Sequence, residues 1–262
     1  FLAVLAPWEL QQSSNDRDWE PDIAVLPRAT INGDTVTVHN IRNCAYLSET
    51  NYTVRHYDRT FLLPQLKTLD LYLVNWGVPQ ISHTMLSFGF GINDYVFISI
   101  ETRKRRGQEY SAVKGFFRNY ELIYVVADER DVVRLRTNFR TGENVYLYRT
   151  RPASTEVLHD VFLDYMRTIN RLDTQPEWYN ALTANCMVEA FRHLRPYGPE
   201  AHWHWTVIAN GYFDRTLYDL GRIATNLPFA EMKAACLINA RGKAAGDSPA
   251  FSMLIREGVP GM

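Results

Sequence analysis

The residues with the most chemistry to offer lie in NALTANCMVEAF, Asn180–Phe191, where a cysteine follows a capping asparagine and opens an apolar pattern of helical spacing. Asn185 is a strong N-cap type, which puts Cys186 at the first helical position. Free backbone N–H groups and the positive end of the helix dipole gather there and favour an anion. A thiolate in that place is stabilised and becomes a nucleophile, and the same amides can hold an oxyanion. Position alone is equally compatible with a small buried side chain at a helix start. The other two cysteines carry no such signal. Cys44, in RNCAYLS, follows a strand and is expected to be buried. Cys236, in KAACLINA, falls in a helical apolar pattern and is expected in the core. Three cysteines without a CxxC pair make neither a disulfide scaffold nor a structural zinc site.

A nucleophilic cysteine needs a base, and the chain has seven histidines. His39 and His56 alternate with apolar residues as strand surface residues do. His159 and His193 fall on helices among charges. His202 and His204, in HWHW, suggest a metal only weakly, because no carboxylates are arranged to complete a site, and they read as packing or surface residues. His83 differs: it opens the most regular strand, behind the loop WGVPQIS. With the turn near Ile92–Asn93, His83 lies opposite Glu101 or Thr102, and a carboxylate across a hairpin can orient an imidazole. The candidate constellation is Cys186 as nucleophile, His83 as base and Glu101 as orienter. Ordinary alternatives are a satisfied strand histidine and a solvated glutamate heading ETRKRR.

Elements must bring these together. Arg28–Asn32 and Thr35–Ile41 form a hairpin around Gly33-Asp34. Thr53–Phe61 and Thr68–Trp76 are strands. Ser82–Thr102 is the clearest hairpin, its alternating runs meeting at Gly-Ile-Asn-Asp. Tyr120–Ala127 and Asn144–Thr150 come next as strands. Then the period changes: Val157, Leu158, Val161, Phe162, Tyr165, Met166 and Ile169 have helical spacing, with Ser154 or Thr155 as cap. A helix from Cys186 to Leu194 stops at Pro196 and Gly198. Helices are expected over about Trp205–Leu220, Phe229–Ala240 and Pro249–Glu257. Strands first and helices later is an α+β order.

The 262 residues suit a single sizeable core. A net charge of −1 gives no basic excess for a nucleic-acid partner. The N-terminal FLAVLA is too short to span a membrane, and QQSSND comes after it as a linker would. Residues 1–14 are read as the stub of an N-terminal anchor or signal segment plus linker, and 15–262 as one domain. Neither GxxxxGK[ST], GxGxxG nor HExxH is present, so no metal or other cofactor is expected.

Several segments together carry a family resemblance: NDRDWEPDIAVLPRATINGDTVTVHNIRN, ISHTMLSFGF, SIETRK, YSAVKGFFRNYELIYVVADERDVVRLRTN, PEWYNALTANC and the final GVPGM. From about Asn15 to Met262 the chain resembles the Lnb N-terminal periplasmic domain family. The resemblance implies a circularly permuted papain-like fold of the NlpC class, an antiparallel sheet packed against helices, with the histidine strand ahead of the cysteine helix. It implies His83 and Cys186 as the catalytic pair and Glu101 as the third member. The family takes its name from a bacterial lipoprotein N-acyltransferase. The activity so implied moves an acyl chain through a cysteine thioester from phospholipid to an amine such as a lipoprotein N-terminus. The resemblance places that activity at the periplasmic face of the inner membrane, in an N-terminally anchored protein. The named acyltransferases continue into further membrane segments beyond this domain.

Three functions compete. A membrane-surface acyltransferase predicts an apolar groove beside Cys186, lined by Trp76, Phe88, Phe116, Trp178 and Tyr179, with phospholipid or lipoprotein as substrate. A cysteine peptidase, amidase or thioesterase of the cell envelope predicts an open polar cleft. A non-catalytic envelope binding protein predicts a Cys186 of ordinary reactivity. Asn185, Trp76, Tyr179 and Tyr110 are candidate substrate contacts, with Ser111 and Tyr120 weaker ones. Arg103-Lys104-Arg105-Arg106 is a candidate contact for anionic headgroups, or a solvated loop.

Overall fold

The computed structural model describes residues 11–111, 113–197, 205–207 and 209–262. His202, His204 and the apolar segment 1–10 lie outside the described residues. The fold is α+β: one eight-stranded sheet with helices on both faces.

Gly33 takes a positive φ of 56° and lets β1 (Arg28–Asn32) turn into β2 (Thr35–Arg42). A small β3–β4 ribbon (Ala45–Tyr46, Tyr52–Thr53) stands apart, and β5 (His56–Leu62) returns along β2. The remaining strands are β6 (Thr68–Asn75), β7 (His83–Gly91), β8 (Asp94–Arg103), β9 (Glu121–Ala127) and β10 (Asn144–Arg149). The sheet order is β1-β2-β9-β8-β7-β6-β10, with β5 also paired to β2. The pairings are antiparallel except one, Arg42 beside Ala127, where β2 meets β9 in parallel. The β7–β8 hairpin turns where expected, with Asn93 in the left-handed region at φ 61°.

Helix α1 (Glu129–Arg134) was not expected from the sequence. Asp128 caps it by accepting from the Arg130 amide, and it runs into a π-helical turn over Leu135–Phe139. Helix α2 (Thr155–Thr174) has Ser154 as its N-cap, accepting from the Val157 amide. Its apolar face covers the sheet, where Phe88 meets Phe162 and Tyr165 edge-on at 5.2 and 5.7 Å. Helix α3 (Cys186–Leu194) has the bounds read from the sequence.

The C-terminal helices are more broken than their periodicity suggests. Trp205–Leu220 is two single 3₁₀ turns and the short helix α4 (Phe213–Asp219). Gly211 sits so close to the 79–80 backbone that an added Cβ would lie 2.0 Å from the Pro79 carbonyl oxygen. Phe229–Ala240 splits into α5 (Phe229–Ala235) and α6 (Asn239–Ala245). There the chain hydrogen-bonds to the β10 edge instead: Leu147 donates to the Cys236 carbonyl and Ile238 to that of Val145. The last expected helix shrinks to α7 (Phe251–Leu254).

Buried charge ties this C-terminal part to the sheet. Arg256, 6% exposed, donates to Asp70 and Glu129, both fully buried, and its guanidinium lies 3.5 Å from the Tyr95 ring centroid. At the other end, Ser13 donates to the Pro176 carbonyl and Asn15 to those of Leu172 and Asp173. Gln11–Ser14, read as linker, therefore lie on the body of the fold. Among the described residues, no helix is long and apolar enough to cross a membrane.

Candidate active site

The cap is made as the sequence implies. Asn185 has extended backbone angles, and its side-chain oxygen accepts from the Met187 and Val188 amides at 3.0 and 2.9 Å. Its side-chain nitrogen donates to the Ala181 carbonyl at 2.7 Å. The Asn185 amide is thus committed to holding the turn, and two of the amides expected to hold an oxyanion are taken by it. Among the described residues, no acceptor takes the Cys186 backbone N–H.

His83 opens β7 beside the start of α3. The β7–β8 register pairs Met85 with Ser99, which carries His83 to the level of Glu101. His83 Nε2 lies 3.0 Å from Glu101 Oε1 and 2.8 Å from Ser99 Oγ, while Ser99 donates to the same Glu101 oxygen at 2.6 Å. With Nε2 directed at the carboxylate, Nδ1 is left for the sulfur. His83 is 9% exposed, as is Cys186.

The electrostatics come from this packing. Burial alone opposes charge on all three groups, but each has a partner that outweighs it. Burial raises the Cys186 thiol, while the His83 charge and hydrogen bond and the Thr84 backbone N–H bring it below its ordinary value. Burial lowers His83, while Glu101 and Cys186 raise it to about 9. Burial raises Glu101, but His83, Arg136 and Ser99 hold it well below the usual carboxylate range. The pairing therefore favours thiolate and imidazolium over the neutral forms, a nucleophile with a proton donor at its side. At Cys44 and Cys236 the nearby Arg42 and Arg241 do not offset burial, which pushes both up to about 12.

Two functional contacts were missed in the sequence. Ser99 lies on β8 two residues before Glu101 and faces the same way. Arg136 comes from the π turn after α1 and donates to Glu101 at 3.2 Å and to Glu143 at 3.3 Å. The Asp128 cap and the acidic first turn, ERD, were the available signal for α1. Nothing in its spacing announces a π turn, which rotates Arg136 onto the carboxylate.

The other candidates divide. Tyr110 and Tyr179 lie near the site, since Cys186 and Glu101 both bear on their hydroxyls. Tyr110 is 58% exposed and stacks on Tyr120. Tyr120 itself is buried, its hydroxyl accepting from the Ser111 amide and donating to the Glu109 carbonyl, so both serve the loop. Trp76 is exposed on the loop just past Val74, the pairing partner of His83. Phe88 is fully buried against α2 and lines no groove at the thiol. Trp178 donates to the Gln11 carbonyl beneath Arg17. Nor does the basic run act as a unit. Arg103 is buried, donating to the Ile23 and Ala24 carbonyls and lying over Trp19, and Arg106 pairs with Asp18. His193 is buried rather than among surface charges, held between Asp164 and Tyr124 at 2.6 and 3.0 Å. Among the described residues, no group of three or more His, Cys, Asp or Glu is placed to hold a metal ion.

A mixed sheet carrying a histidine strand, packed on a helix with a cysteine at its first position, defines a thiol-centred α+β domain. The chain matches the Lnb N-terminal periplasmic domain family over residues 52–211, more than half its length, and belongs to that family. The match includes His83, Glu101, Arg136 and Cys186, and is narrower than the near-complete span read from the sequence. Membership makes this a periplasmic, envelope-associated protein. No curated protein and no solved structure was found to match the chain.

Proposed function

We propose that this protein is a thiol-dependent acyltransferase of permuted papain-like type, working at the membrane surface. The observation that carries the reading is the Cys186–His83–Glu101 cluster, with exposed apolar side chains on the loops that lead into it. Leu182 stands on the loop before Cys186, Tyr110, Val113 and Phe116 on the segment joined to that loop through Ala181 and Gly115, and Trp76 and Ile81 on the loop before His83, each at least 41% exposed. Exposed apolar side chains gathered around a nucleophile suit a lipid face better than a cell-wall peptide, which calls for polar clamps.

The pair sets the chemistry. The Cys186 thiolate attacks the ester carbonyl of an acyl lipid and forms the C–S bond. The backbone N–H of Cys186 is free to donate to the resulting oxyanion. Collapse breaks the ester C–O bond, and the His83 imidazolium gives its proton to the departing alkoxide, which leaves as the lysolipid alcohol. An amine then attacks the thioester. His83 takes the amine proton, the C–S bond breaks and the thiolate returns, leaving an amide. Glu101, with Ser99 and Arg136 behind it, keeps Nδ1 facing the sulfur. Hydrolysis would use water in place of the amine on the same intermediate.

The test is to incubate the protein with phosphatidylglycerol and a synthetic lipopeptide bearing a free N-terminal amine. The proposal expects an N-acylated lipopeptide and lysolipid in equal amounts, abolished in Cys186→Ala. Free fatty acid in place of the amide would make the protein a lipid hydrolase. Formation of neither product, from protein whose Cys186 still alkylates, would overturn the lipid reading.

A further inference from the structure

A second feature lies away from the thiol. An apolar cavity of about 770 Å³ opens behind α3, between that helix, α2, α4 and strands β6 and β7. Its walls include Leu71, Leu86, Val161, Phe191, Val207 and Leu217. The volume falls within the range of about 300–1,000 Å³ that small-molecule sites occupy. Cys186 and His83 do not line it. The cavity adjoins instead the far half of the helix that begins with Cys186 and the strand that begins with His83.

The mouth says what fits. Trp205, Tyr212 and Leu220 line it and are 58, 37 and 49% exposed, so large apolar side chains stand in solvent around an apolar hole. Arg151 also lines it, and so does Arg215, which pairs with Asp219 at 2.9 Å. An apolar cavity with aromatic side chains and the Arg151 guanidinium at its rim matches a molecule with a long hydrocarbon tail and an anionic head.

The mouth is also bolted to the site. Tyr212 ends the 3₁₀ turn over Asn210–Tyr212. Asn210 accepts from the Ser82 amide at 2.7 Å through its side chain and from the Ser82 hydroxyl at 3.0 Å through its carbonyl. Gly211 donates to the Gln80 carbonyl at 3.0 Å. The cavity rim is therefore fixed to the loop that delivers His83, and Trp76 and Ile81 on that loop extend the exposed apolar face toward the thiol.

We propose that the cavity binds one acyl chain of an anionic phospholipid, taken from a membrane against which this face lies. The proposal rests on the acyltransferase reading for its choice of lipid. Its test is separate, because it uses Cys186→Ala protein, in which no thioester can form. Vesicles containing phosphatidylglycerol with a pyrene-labelled acyl chain would be titrated with that protein, and the loss of excimer and gain of monomer emission followed. Saturation at one phosphatidylglycerol per protein is expected. Adding Ala153→Trp, which puts a bulky ring at an exposed position of the lining, should weaken uptake by about tenfold or more. Adding Arg151→Glu should weaken it by about fivefold or more. Circular dichroism would show both variants folded. Absence of monomer emission, or uptake undiminished by both changes, would overturn the proposal. So would equal uptake of the phosphatidylcholine analogue, or preference for a pyrene-labelled free fatty acid.

Discussion

At the scale of single residues, the three cysteines make an internal comparison. All are buried, and burial by itself suppresses a thiolate. What separates Cys186 is a histidine that both faces it with charge and hydrogen-bonds to it, with a backbone donor beside it, and these can be removed or tuned. Alkylation of Cys186 by iodoacetamide is expected to proceed at pH values where an ordinary thiol, with a pKa of about 8.5, is unreactive. It should fall only as pH drops through the depressed value of the pair. In His83→Ala the dominant opposing charge is gone, burial acts alone, and the midpoint should move above that of a free thiol. The sign for His83 is the reverse of a carboxylate's. Its raised value, about 9, means the folded state gains from the imidazolium fully below the ordinary histidine value. That gain is lost as pH rises through about 9. Arg136 acts one step further out, through Glu101. Arg136→Met should raise the alkylation midpoint by up to about one pH unit, with Arg136→Lys restoring part of it. A purely structural role for Arg136 would lower the melting temperature and leave that midpoint in place.

At the scale of elements, the site is built where three short devices meet: a capped helix start, a hairpin register and a loop pinned by Asn210 and Gly211. Removing the cap in Asn185→Ala should cost about 1 kcal/mol of stability by urea denaturation. It should also slow alkylation, because the first turn of α3 loosens around the sulfur. Gly211→Ala drives a methyl group into the Pro79 carbonyl. The loop before His83 must shift, at a cost of about 1–3 kcal/mol. The expected readout is a slower Cys186 reaction, although residue 211 touches neither member of the pair. Elements of this kind differ in how far the sequence reveals them. The helix at Cys186 and the hairpin at His83 were legible because each is set locally, by a cap and by strict alternation closed with a turn. The register even brought Glu101 to the right level. The segments after Trp205 were not. Their helical periodicity is real, but tertiary hydrogen bonds to the β10 edge and the contact at Gly211 override it. The π turn carrying Arg136 escaped for a similar reason, since its geometry is fixed by what it packs against.

At the scale of the whole molecule, buried ion pairs join distant parts of the chain, and these were invisible in the sequence because their partners lie far apart in it. Arg256 bridges Asp70 and Glu129 under the sheet. Arg256→Ala would leave two buried carboxylates facing one another with only Arg149 beside Asp70. The loss expected is about 3–5 kcal/mol, read as a lowered urea midpoint. Exposed apolar residues stand on the loop before His83, at Trp76, Val78 and Ile81, and at the mouth of the cavity behind α3, and Asn210 and Gly211 join the two.

The central claim is that Cys186 carries the acyl group. The direct measurement is the mass of the peptide containing Cys186 after incubation with phosphatidylglycerol and acid quenching, before any amine is supplied. The account predicts a gain of one acyl chain on that peptide, removed by neutral hydroxylamine as a thioester must be, and absent in His83→Ala. An unmodified Cys186 peptide, from protein whose thiol still alkylates rapidly with iodoacetamide, would contradict it.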